Sequence, residues 1–470
     1  MAGTTPTESR IPDASQAPSS GRWWVLVAVG TGTFMSALDG SVVNTILPIL
    51  NRAFHGGVAG VEWVVTIYLL VVSGLLLSFG RVGDLFGHKP IYVSGLFIFG
   101  IGSALCGAAP SLDWLVGFRA LQAIGAAMLF ANSPAILTTN FPAAERGRAL
   151  GLQATMTYLG LTTGPSLGGW LAQTLSWRAV FYINVPVAVV TLLLTWRFVP
   201  WVRPAKRPPP FDFVGAGVFL VGLTLLLLAL NQGHAWGWLS PATLGTAAAA
   251  IALLAGFVRL ELRNDSPMLD LRLFRSRVFS GATLSAVFNY VGVFGLLFLI
   301  PFYLIQGRGM TPASAGLLMT AQPVVMAVVA PISGALSDRV GTRWPAVIGM
   351  ALMAAGFWAM AGLGPTTDVL GIAWRLALVG LGTGIFISPN NSALMGAAPR
   401  NEQGVAGGVL ATARNVGMVL GVGVAGAIFT TLLGTHGARA PLPVIAHAAD
   451  FSFWILAGVA LLGALTSAVR

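Results

Sequence analysis

Charge is what this sequence has least of. Of its 470 residues only 9% are Asp, Glu, Lys or Arg and 56% are hydrophobic, whereas a soluble domain carries about 25% charge. So thin a polar coat cannot cover a water-facing surface, which excludes a soluble globular protein. Cysteine is nearly absent: Cys106 alone excludes an intramolecular disulfide and a cysteine metal cluster. Histidine is scarce too, and His55, His234, His436 and His447 lie too far apart in sequence to argue a metal site. The net charge is +11, but the basic residues stand in short stretches between apolar runs. That spread argues against nucleic acid, which calls for one basic patch.

What is present is apolar length. Runs of about 20 residues, each able to cross about 30 Å at 1.5 Å per residue, fit at 23–47, 61–80, 91–109, 112–134, 148–172, 179–199, 213–232, 241–259, 278–304, 313–335, 344–363, 369–390, 403–431 and 451–469. These fourteen spans put both termini on one side of a bilayer. Of the 26 Lys and Arg, only Arg52, Arg178, Arg308 and Arg439 then face outward, and Arg119, Arg375 and Arg414 lie within spans. All the others, including Arg81, Lys89, Arg146 and Arg148, lie on inward segments. This bias predicts a multi-pass protein of the cytoplasmic membrane with both termini cytoplasmic. Residues 1–22, rich in Thr, Ser and Pro, read as a disordered tail. The first apolar run is long and lacks a small-residue cleavage site, so it reads as an uncleaved span.

Of 15 carboxylates, only Asp39 falls well inside an apolar run. An ionisable group in hydrocarbon costs several kcal/mol unless neutralised, paired or wetted, and is a functional candidate by default. If Trp23 and Trp24 mark the inner interface, Asp39 lies about 22 Å further out. If Trp114 marks the outer one, Arg119 lies about 7 Å below it. In a core of about 30 Å both sit at similar depth and can meet. Three readings are open. Asp39 is a proton switch, neutral when remote from Arg119 and ionised when close or wetted; or a permanently ionised partner joining spans one and four; or an acceptor for a helix break near Gly40.

The chain is also duplicated. Pro142, Glu145, Gly147, Ala149 and Gly151 recur as Pro399, Glu402, Gly404, Ala406 and Gly408, all offset by 257, as do Gly160 and Gly164 at Gly417 and Gly421. Gly80 and Asp84 recur as Gly334 and Asp338, offset by 254. Such an offset equals eight spans, so a parallel repeat of six-helix halves with an inserted helix pair accounts for it. The expected domains are a tail at 1–22, a bundle at 23–200, a linker and helix pair at 201–277 and a second bundle at 278–470. The position matching Asp39 falls near Val293, which has no acid, so proton handling is expected in the first half alone.

Several stretches now resemble one family. Gly80-Arg-Val-Gly-Asp84-Leu-Phe-Gly87-His88-Lys89 is similar to the cytoplasmic loop signature of the major facilitator superfamily, and Gly334 to Arg343, with Asp338 and Arg339, repeats it. The first copy departs from the pattern at Leu85 and His88. Gly160, Gly164, Pro165, Gly168 and Gly169 resemble the glycine-proline signature of its antiporter branch. Arg119, Gln122, Gly125, Ala126 and Ala127 follow its fourth-span pattern, with Ala123 in place of the usual first Gly. Leu38 to Pro48, with Ser41 for the usual Thr, and Trp177 to Pro186 are similar to the fourteen-span drug:proton antiporters.

The resemblance implies an all-α integral membrane protein of the major facilitator fold, two six-helix bundles plus two extra helices. It implies a transporter rather than an enzyme, coupled to protons through Asp39 and Arg119. Gly80, Asp84, Gly87, Lys89, Asp338 and Arg339 would form the cytoplasmic gate, the acids locking with cations across it. No cofactor is implied, since the proton gradient drives the cycle; the partners are a small molecule, protons and lipid, and the unit is a monomer. Cavity candidates by position are Asn44, Gln122, Asn132, Asn289, Tyr290, Gln322 and Asn390. A few polar groups in an apolar cleft suit amphipathic compounds. The lack of a second intramembrane acid argues against dications and for neutral, zwitterionic or monocationic compounds, with anions, favoured by Arg375 and Arg414, as the alternative. The expected function is export of drug-like compounds or metabolites; import of a nutrient is the alternative, and a membrane enzyme a distant one.

Overall fold

A computed structural model describes residues 19–54, 57–201, 210–264, 267–310, 312–364, 367–433 and 442–470. It is helical throughout, with no strand among the described residues. In chain order the helices are α1 (Ser19–Phe54), α2 (Gly57–Phe86), α3 (His88–Ala108), α4 (Leu112–Asn140), α5 (Arg146–Thr174), α6 (Ala179–Tyr182), α7 (Asn184–Phe198), α8 (Phe213–Trp236), α9 (Pro241–Glu261), α10 (Arg277–Pro301), α11 (Pro312–Met319), α12 (Ala321–Val340), α13 (Arg343–Ala361), α14 (Val369–Ala397), α15 (Gln403–Leu433) and α16 (Leu442–Val469). Several begin where a polar side chain caps the first free amides: Ser111 accepts from the Trp114 N–H, Ser240 from Thr243, and Asp368 from Gly371.

Among the described residues, 13 helical segments are long and apolar enough to cross a membrane. The segment at 148–172 is the exception. It is α5, whose 29 residues reach about 43 Å but whose Gly, Thr, Gln and Ser content lowers its hydropathy. Burial against α1 takes the place of lipid around it. Large apolar side chains such as Trp196, Phe213 and Leu317 stay exposed on the outside of the bundle, a surface that only lipid makes stable. The chain is a multi-pass membrane protein.

The packing repeats itself. In the first half α1 lies on α5 and α7, α2 on α4, and α3 on α4 and α7; in the second α10 lies on α15 and α16, α12 on α14, and α13 on α14 and α16. Between halves α2 meets α15 and α5 meets α12, the pairing a two-fold axis requires. The α8–α9 hairpin breaks that symmetry, with α8 leaning on α2 and α15. Its return segment is pinned to the bundle: Met268, Leu269 and Leu273 are buried, Glu261 accepts the Leu269 N–H at 3.1 Å, and Ser78 of α2 contacts the Met268 Sδ.

Candidate functional site

Asp39 on α1 and Arg119 on α4 meet with no exposed surface on either side chain. Arg119 Nη1 donates to Asp39 Oδ2 at 2.5 Å, while Gln122 Nε2 and Asn184 Nδ2 donate to Oδ1 at 2.9 and 2.8 Å. Every partner of the carboxylate is a donor, so the geometry is that of an anion. The guanidinium is held in turn by the Val64 carbonyl at 3.2 Å and Gln122 Oε1 at 2.7 Å. Ser103 accepts from both Gln122 and Asn184 and donates to the Phe181 carbonyl. Four elements therefore orient one ion pair, which offsets the several kcal/mol that each buried charge costs.

Ser103, Asn184, Tyr68 and Val64 were not assigned to the site from sequence. Asn184 is a polar residue inside the 179–199 run and within the Trp177 to Pro186 stretch, and that was the available signal. Ser103 in a glycine-rich stretch and the Val64 carbonyl carry none.

Tyr68 joins the ion pair to a central cavity. The Arg119 guanidinium lies 4.2 Å from the centre of its ring, a cation–π contact, and the same side chain lines a cavity of about 130 Å³ between the halves. Gly40, next to Asp39, lines it too. A second cavity of about 640 Å³ shares Tyr158, Leu161 and Phe294 with the first and extends between α5, α10 and α12.

Of the residues assigned to the cavity from sequence, Tyr290 lines the first and Gln322 the second. The others sit elsewhere, and their hydrogen bonds say why. Gln122 is consumed by the ion pair. Asn132 bonds the Phe79 and Met128 carbonyls and His88. Asn289 donates to the Sδ atoms of Met350 and Met353, and Asn390 bonds the Ala282 carbonyl and Arg470. A buried amide spends its groups on helix contacts before a ligand can use them. The Asn44 side chain lies outside the described residues.

At the end of the bundle where α2 turns into α3, the halves are sealed twice over by the same device. Asp84 at the end of α2 accepts the Gly404 and Val405 N–H groups at the start of α15, at 2.7 and 2.8 Å. Asp338 at the end of α12 accepts those of Gly147 and Arg148 at the start of α5, at 3.0 and 3.2 Å. Each carboxylate thus caps a helix of the opposite half, where free amides and the helix dipole favour an anion. The backbones touch beside each cap. A Cβ on Gly404 would lie 2.1 Å from the Gly80 carbonyl oxygen, and one on Gly334 would lie 2.3 Å from that of Gly147.

Cations do not complete this lock, contrary to the expectation for Lys89 and Arg339. Lys89 donates to the Trp196 and Val199 carbonyls, tying α3 to the end of α7 within one half, and Arg339 is exposed. Backbone amides reach the acids first, because the paired glycines let the helix starts come so close. Gly87 and its counterpart Gly341 turn the chain with φ of 97° and 84°, where a side chain is strained. His88, where the family pattern has a basic residue, stands 3.6 Å from Asp84 and bonds Asn132.

The glycine-proline stretch of α5 lies on α1 beside the ion pair. A Cβ on Gly160 would lie 2.5 Å from the Phe34 carbonyl oxygen, one on Gly164 1.9 Å from Ser41 Oγ, and one on Gly168 2.5 Å from Val42 Cγ2. Gly169 is half-buried; the Pro165 side chain lies outside the described residues. Gly417 and Gly421 of α15 press on the Val287 and Val291 carbonyls of α10 in the same way.

The sequence model of the Major Facilitator Superfamily matches residues 29–264 and 282–469. The chain belongs to the major facilitator superfamily. It is 34% identical over 445 residues to the riboflavin transporter RibZ of Clostridioides difficile, covering 94% of this chain and 96% of that one. It is 34% identical over 431 residues to the multidrug resistance protein Stp of Mycobacterium tuberculosis (90% and 79% covered). With the tetracenomycin C resistance and export protein of Streptomyces glaucescens it shares 32% over 435 residues (92% and 81%). The fold matches the human organic anion transporter MFSD10 with a TM-score of 0.70 at 17% identity, covering 96% and 100%. It matches the proton:xylose symporter XylE at 0.66 and 17%, covering 96% and 95%. As a superfamily member the chain is a transporter of small molecules, not an enzyme.

Proposed function

We propose that this transporter exports small hydrophobic or amphipathic compounds across the cytoplasmic membrane in exchange for protons, by alternating access. The observation that carries the reading is the buried Asp39–Arg119 pair, walled from the central cavity by one shared side chain, Tyr68. The α2–α3 end faces the cytoplasm, so this is a state closed to the inside, with Asp39 ionised. Rocking 23–200 against 278–470, together with a slide of α1 along the glycine face of α5 inside the first bundle, draws Asp39 from Arg119. Arginine keeps its proton at any physiological pH, so the carboxylate is the group that takes one up when wetted. Its return to Arg119 releases that proton, and the inward gradient supplies about 2.3 kcal/mol per charge per 100 mV. The chain works as a monomer and without a cofactor. The multidrug resistance and export proteins among the relatives support efflux as the direction.

The test is transport of a compound panel into and out of proteoliposomes with imposed pH gradients, comparing wild type with Asp39→Asn. Gradient-driven movement is expected to fall at least about 100-fold, the scale of a lost charge-coupled step, with compound binding retained. An unchanged pH response in the variant sinks the coupling scheme, and uptake along the inward proton gradient turns the antiporter into an importer.

A further inference from the structure

Arg414 on α15 is the one charged side chain among those lining the central cavity. Among the described residues no carboxylate pairs with it. Its side-chain contacts are a 3.4 Å bond from Nε to Asn415 Oδ1 and the face of Phe130, 4.4 Å from the guanidinium carbon. Asp39 does not neutralise it, since that charge is already met by Arg119 at 2.5 Å. The cavity therefore carries a net positive charge on its wall.

The rest of the lining fits the same chemistry. Phe130, Tyr158, Tyr290 and Phe294 supply ring faces, and Gln153 and Asn391 supply polar groups. The Tyr158 hydroxyl is buried on the cavity wall and faces that of Tyr290. This tyrosine pair and a guanidinium without a carboxylate partner among the described residues offer hydrogen-bond donors to an anion in the cavity.

We infer that Arg414 selects the cargo: the central cavity takes planar aromatic compounds bearing a delocalised negative charge, such as a carboxylate or sulfonate. The guanidinium fork pairs with two oxygens of the anion, Tyr158 donates a further hydrogen bond, and the aromatic body stacks between Phe130 and Phe294. This names the substrate class of the site proposed above and rests on that site being the transport cavity. A merely structural role is the rival, because Phe130 belongs to α4 and Arg414 to α15, so their contact also ties the two halves together.

Three probes of one shape and fixed charge separate these readings: 2-naphthalenesulfonate, 2-naphthylmethanol and trimethyl(2-naphthyl)ammonium, titrated by fluorescence onto the purified full chain. Wild type is expected to bind the sulfonate about ten-fold or more tightly than the other two, as one charge-assisted contact gives. Arg414→Gln removes that preference while leaving the affinity for the alcohol unchanged, and Arg414→Lys restores part of it. The inference is overturned if none of the probes binds, if the ammonium binds wild type as well as the sulfonate does, or if Arg414→Gln weakens all three alike, as loss of an inter-half tie would. Gradient-driven transport by Asp39→Asn, measured separately in proteoliposomes, reports proton coupling alone, so failed coupling and failed anion selection are read apart.

Discussion

The two halves are alike at the gate and unlike at the centre. At the gate each half presents a carboxylate to the helix start of the other and presses glycine on glycine. Within each bundle they part company. The first half holds a charged network of Asp39, Arg119, Gln122, Asn184 and Ser103. The second holds Asn289, Thr383, Met350 and Met353, joined by soft sulfur contacts. Symmetry is kept where the two halves meet and given up inside each. Methionine, flexible and polarizable, packs the second where charge holds the first.

The largest expected effect separates two arginines on corresponding helices. Arg119 on α4 is sealed against an acid, whereas Arg375 on α14 bonds the Ala359 and Gly371 carbonyls and lies by Trp374 at the periphery. Arg119→Leu should cost about 3–5 kcal/mol, the penalty for stranding a buried carboxylate, and Arg375→Leu about 1 kcal/mol. Thermal unfolding in nanodiscs measures both. Adding Asp39→Asn to Arg119→Leu should recover most of the loss, as a double-mutant cycle requires of a coupled pair. Equal losses for the two arginines would dissolve the distinction between the halves.

A smaller effect probes the symmetric end. The Asp84 side chain is 1% exposed and its bonds are 2.7 and 2.8 Å, while those of Asp338 are 3.0 and 3.2 Å. An amide keeps one acceptor and turns a donor toward the second N–H. Asp84→Asn should therefore loosen the closed state by about 1–3 kcal/mol and Asp338→Asn by about 1 kcal/mol or less. Spin-label distances between the ends of α2 and α15, and of α12 and α5, report which seam opens. If Asp338→Asn opens its seam as far as Asp84→Asn does, bond length is not what sets the strength of the lock.

Much of this was legible in the residues. Apolar length set the spans, and glycines recurring at offsets of 254 and 257 set the duplication, because close helix contact tolerates no Cβ and so leaves its mark in composition. Asp39 and Arg119 were found because charge is conspicuous in hydrocarbon. Asn132, Asn289 and Asn390 misled for the opposite reason: an amide in a span satisfies helices and ligands with the same atoms, and sequence does not say which comes first. Lys89 and Arg339 misled because an acid facing a glycine-rich helix start finds backbone amides, which no side-chain pattern displays.

The smallest expected effect sets two glutamates at equivalent positions of the repeat against each other. Glu145 pairs with Arg22 at 3.2 Å. Among the described residues no cation pairs with Glu402: burial raises its pKa above the usual carboxylate range, Asp270 nearby adds to this, and Arg81 opposes it. A raised folded-state value means the fold prefers the neutral acid. Its contribution is therefore complete below the unfolded carboxyl value of about 4.3 and is lost as pH rises through the folded one. Glu402→Gln, neutral at every pH, should leave stability unchanged near pH 4 and raise it by about 0.5 kcal/mol at neutral pH, since water on its exposed side screens the rest. Glu145→Gln removes an ion pair and should lower stability by a similar amount, less so in high salt. Unfolding midpoints at acid and neutral pH decide the matter: shifts of one sign, or a Glu402→Gln gain that ignores pH, would mean that local charge does not distinguish the two helix starts.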